Sequence, residues 1–323
     1  MIGLWRRFVE ACSAREDGTA FAIFRIALAA VILVDALGAL QPGVLLPLFE
    51  PVSEGGLAVG KTVLPLWDLL GGPSTAGVVG LTWVAVAASA ALLVGFGGRF
   101  TALVLLQVLL AVKGLPNDIG GGYDRLISNG LWLLVLGDGC ATLSADCRRR
   151  TGAWTSERLV HAFPRHLAVF QLVMLYVSTG LWKQGDAWDT SYEAVYRTML
   201  MTAYVRGNWW WVGYFAPLLK VATVLSRWWE ILFWIAGVWH MARQGWLGTR
   251  LGGWTKWDLR WPFLGIGVVM HGVLIVFMNL GPFSLVTWCF YLLWLSPDEW
   301  RAIGARVWRS GSIRGSAPTG GTL

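Results

Sequence analysis

TAFAIFRIALAAVILVDALGAL, the segment from Thr19 to Leu40, is an apolar run with only two ionisable side chains. A transmembrane helix needs about 20 predominantly apolar residues to cross the hydrocarbon core of a bilayer. Arg6, Arg7 and Arg15 precede the run, as basic residues precede the apolar part of a signal peptide. The run is too long for that part, however, and a second apolar run follows. The sequence therefore predicts a retained first helix with its amino terminus inside the cell.

The composition of the whole chain supports a membrane location. Hydrophobic residues make up 56% of the 323 and charged residues only 14%, against about 25% in soluble domains. The mean hydropathy is +0.57. The net charge of +7 falls in short clusters between apolar runs and not on one basic face, so no nucleic-acid partner is expected. We interpret the chain as an all-α, polytopic membrane helical bundle whose main partner is the lipid bilayer.

Seven further apolar runs follow the first, approximately at residues 74–96, 101–115, 126–136, 166–182, 217–241, 261–280 and 283–295. Several are shorter than about 20 residues, so tilted helices or displaced boundaries are expected.

Basic residues predict the orientation, because cytoplasmic connections are enriched in Lys and Arg. Starting from an inner amino terminus, alternate connections carry Arg99; Arg148, Arg149, Arg150, Arg158 and Arg165; and Arg243, Arg250, Lys256 and Arg260. The opposite connections carry Lys61, Lys113, Arg197 and Arg206. This bias predicts eight transmembrane helices with both termini cytoplasmic, in the inner or plasma membrane. Residues 1–17 form a cytoplasmic segment, 18–300 the transmembrane domain and 301–323 a disordered cytoplasmic tail.

The four cysteines predict neither a disulfide framework nor a metal centre. Cys12, Cys140 and Cys147 fall on or near the cytoplasmic side, and Cys289 falls within a span. Cys140 and Cys147 are seven residues apart without a matching pair, which is not zinc-ligand spacing. No metal is expected.

Two ionisable residues lie at membrane depth in the first span. Arg25 and Asp35 are ten residues apart, or about 15 Å along a helix, so they cannot pair with each other. Charge inside the membrane is costly and needs a partner or a function. Each residue therefore either locks the bundle by pairing with another helix or contributes to a site.

The later spans carry three further candidates. Arg227 and Glu230 are three residues apart, so an intrahelical pair is the simpler expectation, with Glu230 the better candidate for the interior. His240 is expected at the inner interface. His271 lies in the middle of an almost wholly apolar span, where a hydrogen-bonded scaffold residue is the more common interpretation and a catalytic residue the alternative.

The densest polar cluster is GLWKQGDAWD, residues 180–189, at the outer end of the fifth span. Lys183 is expected either to extend to the headgroups or to lie in an apolar pocket, where loss of solvation favours the neutral amine and makes it a base. The physical argument alone favours the first of these.

The chain resembles the HTTM family, which is the transmembrane region of the vitamin K-dependent γ-glutamyl carboxylase, over roughly residues 18–300, as a short bacterial-type member. The matching segments are Phe24-Arg25-Ile26, Gly55-Gly56-Leu57, residues 126–144, Phe170-Gln171-Leu172 through Tyr176, Gly180-x-x-Lys183 with Trp188, Met270-His271, Met278-Asn279 and Gly281-x-Phe283-Ser284. Trp182 replaces the first Lys of the family's lysine pair.

This resemblance implies that Lys183 is the base that deprotonates a vitamin K-type hydroquinone, with His271 near the site. It also implies an outward-facing site, with Trp188, Tyr123, Arg125 and Asn279 as substrate-binding candidates, and Arg25 and Glu230 as structural or site polar residues. In the carboxylase the oxygenated quinone removes a glutamate proton and CO2 captures the carbanion. The carboxylase's large region beyond the spans and its second histidine have no counterpart here, so quinol chemistry is expected in preference to glutamate carboxylation.

Three classes of function follow from these observations. The first is a membrane enzyme that uses a reduced quinone, of vitamin K or menaquinol type, with O2 and CO2 as possible co-reactants. The second is a component for maturation or export of a secreted toxin or antimicrobial peptide, with a companion membrane or soluble protein. Its outer aromatic segment 204–211 would receive the peptide, although an interfacial aromatic belt is the simpler interpretation of that segment. The third, a transporter, is disfavoured because no inverted repeat is evident.

Overall fold

The computed structural model describes residues 2–41, 43, 45–58, 65–115, 121–207, 210–244 and 257–314. In chain order the elements are α1 (Ile2–Ser13), β1 (Arg15–Asp17), α2 (Thr19–Ala39), α3 (Leu45–Phe49), α4 (Pro65–Leu69), α5 (Thr75–Val94), α6 (Gly98–Lys113), α7 (Gly122–Leu136), α8 (Ala145–Thr151), β2 (Leu159–His161), α9 (Phe163–Trp182), α10 (Asp186–Asp189), α11 (Ala194–Met199), α12 (Ala216–Leu232), α13 (Trp234–Arg243), α14 (Arg260–Phe277), α15 (Phe283–Leu292) and α16 (Pro297–Arg314). Short 3₁₀ helices cover Val52–Glu54 and Trp210–Phe215.

Four helical segments are long and apolar enough to cross a membrane. They are Thr19–Ala39, Thr75–Val94, Trp211–Arg243 and Arg260–Phe277, all within the described residues. Phe283–Leu292 is apolar but shorter. The protein is therefore mostly helical with four candidate spans, as expected for an α-helical membrane protein. The other predicted runs form α6, α7, α9 and α15.

The helices pack around α2. This helix contacts α5, α7, α15 and α16, while α5, α6 and α7 pack in succession and α9 packs against α12 and α13. Phe24 and Leu28 of α2 are fully buried in the central cluster, where the ring of Phe24 meets the edge of Phe290 with centroids 5.4 Å apart. The residues that made the first run look membrane-spanning thus also form the core.

The sixth predicted run, 217–241, forms two helices that meet at Phe233. The Phe233 N–H donates to the carbonyl of Glu230 three residues earlier, which closes a tighter turn than the regular α-helical bond does. The Phe233 side chain is fully buried against Tyr176 and Trp229. Burial of this ring fixes the break beside Glu230.

The amino-terminal segment is also structured. A two-stranded antiparallel sheet, in which Glu16 is the partner of Val160, joins β1 to β2 and adds a small strand pair to the helical bundle. Residues 301–314, assigned from sequence to a disordered tail, continue α16, while 315–323 lie outside the described residues. The helix begins with reciprocal bonds between Ser296 and Glu299, a capping box.

Candidate functional site

Lys183 immediately follows α9, at the point where this helix touches α12. An added Cβ on Gly180 would lie 2.8 Å from the backbone nitrogen of Ile231 and 2.9 Å from the Cβ of Glu230. The two helices therefore approach with almost no side chain between them at this position. That close approach brings Glu230 beside Lys183.

Lys183 and Glu230 form an ion pair. The Nζ of Lys183 lies 2.5 Å from Oε1 of Glu230 and 4.9 Å from the centre of the Trp188 ring. The lysine side chain is 24% exposed and the glutamate side chain 9%. A carboxylate and the π face of an indole both attract a cation, so the two contacts are suited to an ammonium group.

The surroundings of Lys183 are not wholly apolar. Its amine meets a carboxylate 47 positions away in sequence. The second oxygen of that carboxylate, Oε2 of Glu230, lies 3.3 Å from the hydroxyl of Thr179.

The expected pair of Arg227 and Glu230 is wrong. Arg227 instead contacts the carboxylate of Asp189 and, at 3.4 Å, the carbonyl oxygen of Trp188. These contacts tie α10 to α12 and hold Trp188 over Lys183. The bonds that Asp189 accepts from Arg227 and from the Gly185 N–H keep the pKa of its carboxyl below the usual value.

His271 belongs to a buried polar network deeper in the bundle. Its Nε2 lies 2.8 Å from the hydroxyl of Tyr176 and its Nδ1 3.2 Å from the hydroxyl of Ser284. The Tyr176 hydroxyl is also 2.5 Å from that of Tyr291. Tyr176 precedes Lys183 by seven residues, so the network starts about 10 Å further along α9.

From the sequence, Tyr176 was noted only as part of the family resemblance, and no role was predicted for it. The spacing could have indicated a role for Tyr176. Tyr176, Gly180 and Lys183 are four and three residues apart, the spacing of residues on one face of a helix. Glu230 interacts electrostatically with the phenols of both Tyr176 and Tyr291, which links the two polar groups.

Tyr123 lies in a separate cluster, built from α2, α6 and α7. The Nζ of Lys113 is 2.8 Å from Asp35, 3.0 Å from Asp124 and 4.8 Å from the centre of the Tyr123 ring. Asp35 is thus paired with another helix. Arg125, next to this cluster in sequence, is exposed.

Asn279 follows the carboxyl-terminal end of α14 and is exposed. Its backbone N–H donates to the carbonyl of Tyr204 at 2.6 Å, and Nε of Arg206 donates to the carbonyl of Met278 at 2.9 Å. These bonds join the described part of the outer aromatic segment to α14. Residues 208 and 209 of that segment lie outside the described part of the chain.

Arg25 is fully buried and donates to four backbone carbonyls. The acceptors are Gly139 at 2.9 Å, Leu92 at 2.5 Å, Leu93 at 3.0 Å and Leu143 at 2.6 Å. The guanidinium therefore joins α2 to the end of α5 and to the loop after α7. Its partners differ from those of Lys183.

His240, expected at the inner interface, is buried instead, with 2% of its surface exposed. Its Nε2 lies 3.3 Å from Nδ1 of His166, and its ring packs on Trp294. The correction follows from the packing of α13 on α9, where an added Cβ on Gly237 would be 2.9 Å from Val173. This close contact turns the histidine inward.

Among the described residues, no group of three or more His, Cys, Asp or Glu side chains is arranged to hold a metal ion. The group of Lys183, Glu230 and Trp188, at the contact of α9 with α12, is an arrangement that can take part in acid–base chemistry.

Comparisons with known proteins give no further assignment. No family model matches the chain, and no curated protein or solved structure is similar to it at a significant level.

Proposed function

We propose that this protein is an integral membrane enzyme that uses a reduced quinone, of vitamin K or menaquinol type, at an outward-facing site centred on Lys183. The observation that carries the proposal is the ion pair of Lys183 and Glu230 under the ring of Trp188. The resemblance of Gly180-x-x-Lys183 and Trp188 to the HTTM family supports the same substrate class.

The residues fit the head group of a quinol. A quinol is a flat aromatic ring with acidic hydroxyls, and an indole face offers a stacking surface for such a ring. The ion pair offers both a cation and a proton acceptor to the hydroxyl. O2 would take up the electrons of the quinol, and CO2 would enter only where a carboxylation follows. The substrate would be a peptide or a small molecule.

The topology that serves this site has eight spans, formed by α2, α5, α6, α7, α9, α12 with α13, α14 and α15. Both termini are cytoplasmic, in the inner or plasma membrane, and the HTTM-like domain covers residues 18–300. In this topology Lys183 lies at the outer surface and the arginines Arg148 to Arg150 lie at the inner one, as the positive-inside rule requires.

The proposal is tested by O2 consumption of the purified protein with menaquinol or a reduced vitamin K analogue. Wild type should consume O2 and form the quinone or its epoxide, and Lys183→Ala should abolish turnover while the protein remains folded. Lys220→Ala is the matched control, since Lys220 lies on α12 and pairs with Glu193 at the surface. Equal turnover in wild type and Lys183→Ala would remove Lys183 from the chemistry.

A second candidate function is the maturation or export of a small secreted peptide, without quinone chemistry and with a companion protein. Exposed aromatic side chains in and just after the segment 204–211 favour it, since Tyr204 is 46% exposed, and Tyr214 and Phe215, which follow the segment, are 79% and 48% exposed. Mass spectrometry of peptides that copurify from the native host tests this function. A secreted peptide that is retained by wild type and lost when Tyr214 and Phe215 are replaced by Ser would support it.

A further inference from the structure

Lys183 is surrounded by groups that attract a cation. The carboxylate of Glu230 is 2.5 Å from Nζ, and the Trp188 ring lies on another side at 4.9 Å. An ammonium group has three donors and no lone pair, so it cannot accept a proton. A base is still required if this site is to remove a proton from a hydroxyl.

Glu230 has the free acceptor. Its Oε1 is engaged by Lys183, whereas among the described residues the partner of its Oε2 is the Thr179 hydroxyl at 3.3 Å. That hydroxyl also lies 2.9 Å from the carbonyl of Leu175 and 3.0 Å from that of Tyr176, which are the better acceptors for its single proton. The Oε2 of Glu230 therefore keeps acceptor capacity for an incoming hydroxyl.

We propose that Glu230, through Oε2, accepts the proton from the substrate hydroxyl, and that Lys183 remains an ammonium that stabilises the resulting anion. This assignment rests on the proposed function, because it supposes a substrate with an acidic hydroxyl at this site. The O–H bond of the substrate breaks, its electron pair stays on the oxygen, and the proton forms an O–H bond with Glu230.

The charges balance in this step. The lysine–glutamate pair changes from neutral to +1 while the substrate changes from neutral to −1, so the site and substrate together stay neutral. In a medium of low dielectric constant an anion is stabilised strongly by an adjacent cation. Lys183 supplies that cation, and the π face of Trp188 stabilises it while Glu230 is neutral.

Two substitutions separate this assignment from one in which the lysine amine is the base. Lys183→Arg keeps the cation and the fork that pairs with a carboxylate, but a guanidinium cannot act as a base. Glu230→Gln keeps the shape of the side chain and a hydrogen-bond acceptor but removes the proton acceptor. The amine of Lys183 stays in place in this variant.

The experiment uses 1-naphthol, a hydroxyarene with a single hydroxyl, whose neutral and anionic forms differ in absorbance. Binding to wild type at neutral pH should raise the anionic fraction at least tenfold over that in detergent micelles at the same pH. Lys183→Arg should keep at least half of this increase, Glu230→Gln should show no increase over micelles at any pH between about 6 and 9, and Lys220→Arg should behave as wild type.

Two results would overturn the assignment. One is a wild-type anionic fraction no higher than in micelles; the other is a Glu230→Gln protein in which the anion forms as in wild type or returns as the pH rises. Because naphthol deprotonation needs no O2, it is read separately from the turnover test. If naphthol is deprotonated but no quinol is oxidised, the proposed oxidation of a quinol is refuted. The assignment of Glu230 as the proton acceptor then still stands.

Discussion

Arg25 connects three segments of the bundle through its guanidinium. Its donors reach the carbonyls of Leu92 and Leu93 at the end of α5 and those of Gly139 and Leu143 in the loop after α7. Because the side chain is fully buried, water cannot replace these bonds. Of the two roles considered for a cation at this depth, the contacts describe the structural one.

Replacing Arg25 by Lys should therefore destabilise the protein although the charge is kept. An ammonium has three donors on one atom and cannot reach acceptors spread over both sides of a planar fork. Each carbonyl left without a donor costs about 1–3 kcal/mol. Thermal unfolding in detergent should show a clear fall in midpoint, whereas Arg197→Lys, at a side chain that is 54% exposed, should leave it almost unchanged. An unchanged midpoint for Arg25→Lys would contradict this interpretation.

These residues also show what sequence can predict. A partner on another helix was one of the two roles expected for Asp35 from its depth, but the identity of Lys113 did not follow, because 78 positions separate them. The acceptors of Arg25 are backbone carbonyls and leave no signature in the sequence. For Glu230, local spacing pointed to Arg227, yet the close approach at Gly180 brought Lys183 nearer.

At the scale of the element, the crossing of α9 and α12 depends on Gly180. A methyl group there would meet the backbone of Ile231 at 2.8 Å, and backbone cannot move aside as a flexible side chain can. We expect Gly180→Ala to destabilise the fold by about 1–3 kcal/mol and to weaken the pair of Lys183 and Glu230.

Gly80 on α5 is the matched control for Gly180, since an added Cβ meets nothing within 4 Å. Gly80→Ala should be neutral or stabilising by up to about 1 kcal/mol, the helix propensity difference. Denaturation midpoints of the two variants, together with the O2 consumption assay, measure both effects. Similar midpoints for the two alanine variants would show that α9 and α12 are not in close contact.

A second element-level prediction concerns the charged cluster that joins α16 to the start of α14. Burial raises the pKa of Asp258, but the bonds and charge of Arg260 outweigh it, so the net pKa is lowered. Burial likewise raises the pKa of Glu299, and the Ser296 N–H and Arg260 bring the net value below the usual one.

A carboxyl whose pKa is lowered by folding stabilises the protein above its unfolded pKa, and this stabilisation is lost as the pH falls through the folded pKa. For Asp258 and Glu299 the loss should begin as the pH falls below about 4.5. The unfolding temperature of the wild type should therefore fall as the pH drops below this value. A double variant, Asp258→Asn with Glu299→Gln, should be less stable at pH 7 and show a shallower fall in acid.

The elements themselves were predicted more completely than their ends. Apolar runs located α2, α5, α9 and α14, because a span must be continuous to cross the bilayer. The break at Phe233 was not predicted, since burial of one ring against α9 causes it and the sequence there stays uniformly apolar. The short helices between spans went unrecognised because they contain no long apolar run.

At the scale of the whole molecule, the contact between α9 and the α12–α13 segment, here called the seam, has two polar pairs with apolar side chains between them. Lys183 meets Glu230 at one end, and His166 meets His240 at the other. Between them lie the buried side chains of Phe233 and Leu172. The two polar pairs thus lie on either side of an apolar centre in this contact, with Glu230 near the middle of the α12–α13 segment.

The last prediction concerns the topology of the chain in the membrane, which sets the side that the Lys183 end of this seam faces. Thr155 and Ala302 are exposed and lie in segments proposed to be cytoplasmic, and Thr190 is exposed beside the proposed outer site. Cysteines introduced at these positions, in a Cys12→Ser background, report the side of the membrane. The other native cysteines, Cys140, Cys147 and Cys289, are buried.

In intact cells a membrane-impermeant maleimide should label Thr190→Cys and leave Thr155→Cys and Ala302→Cys unlabelled until the membrane is opened. Equal labelling after opening is the control for expression and accessibility. Eight spans place residues 155 and 302 on the same side, because an even number of crossings separates them. Labelling of Ala302→Cys but not Thr155→Cys in intact cells would mean an odd number, and labelling of all but Thr190→Cys would turn the Lys183 site toward the cytoplasm.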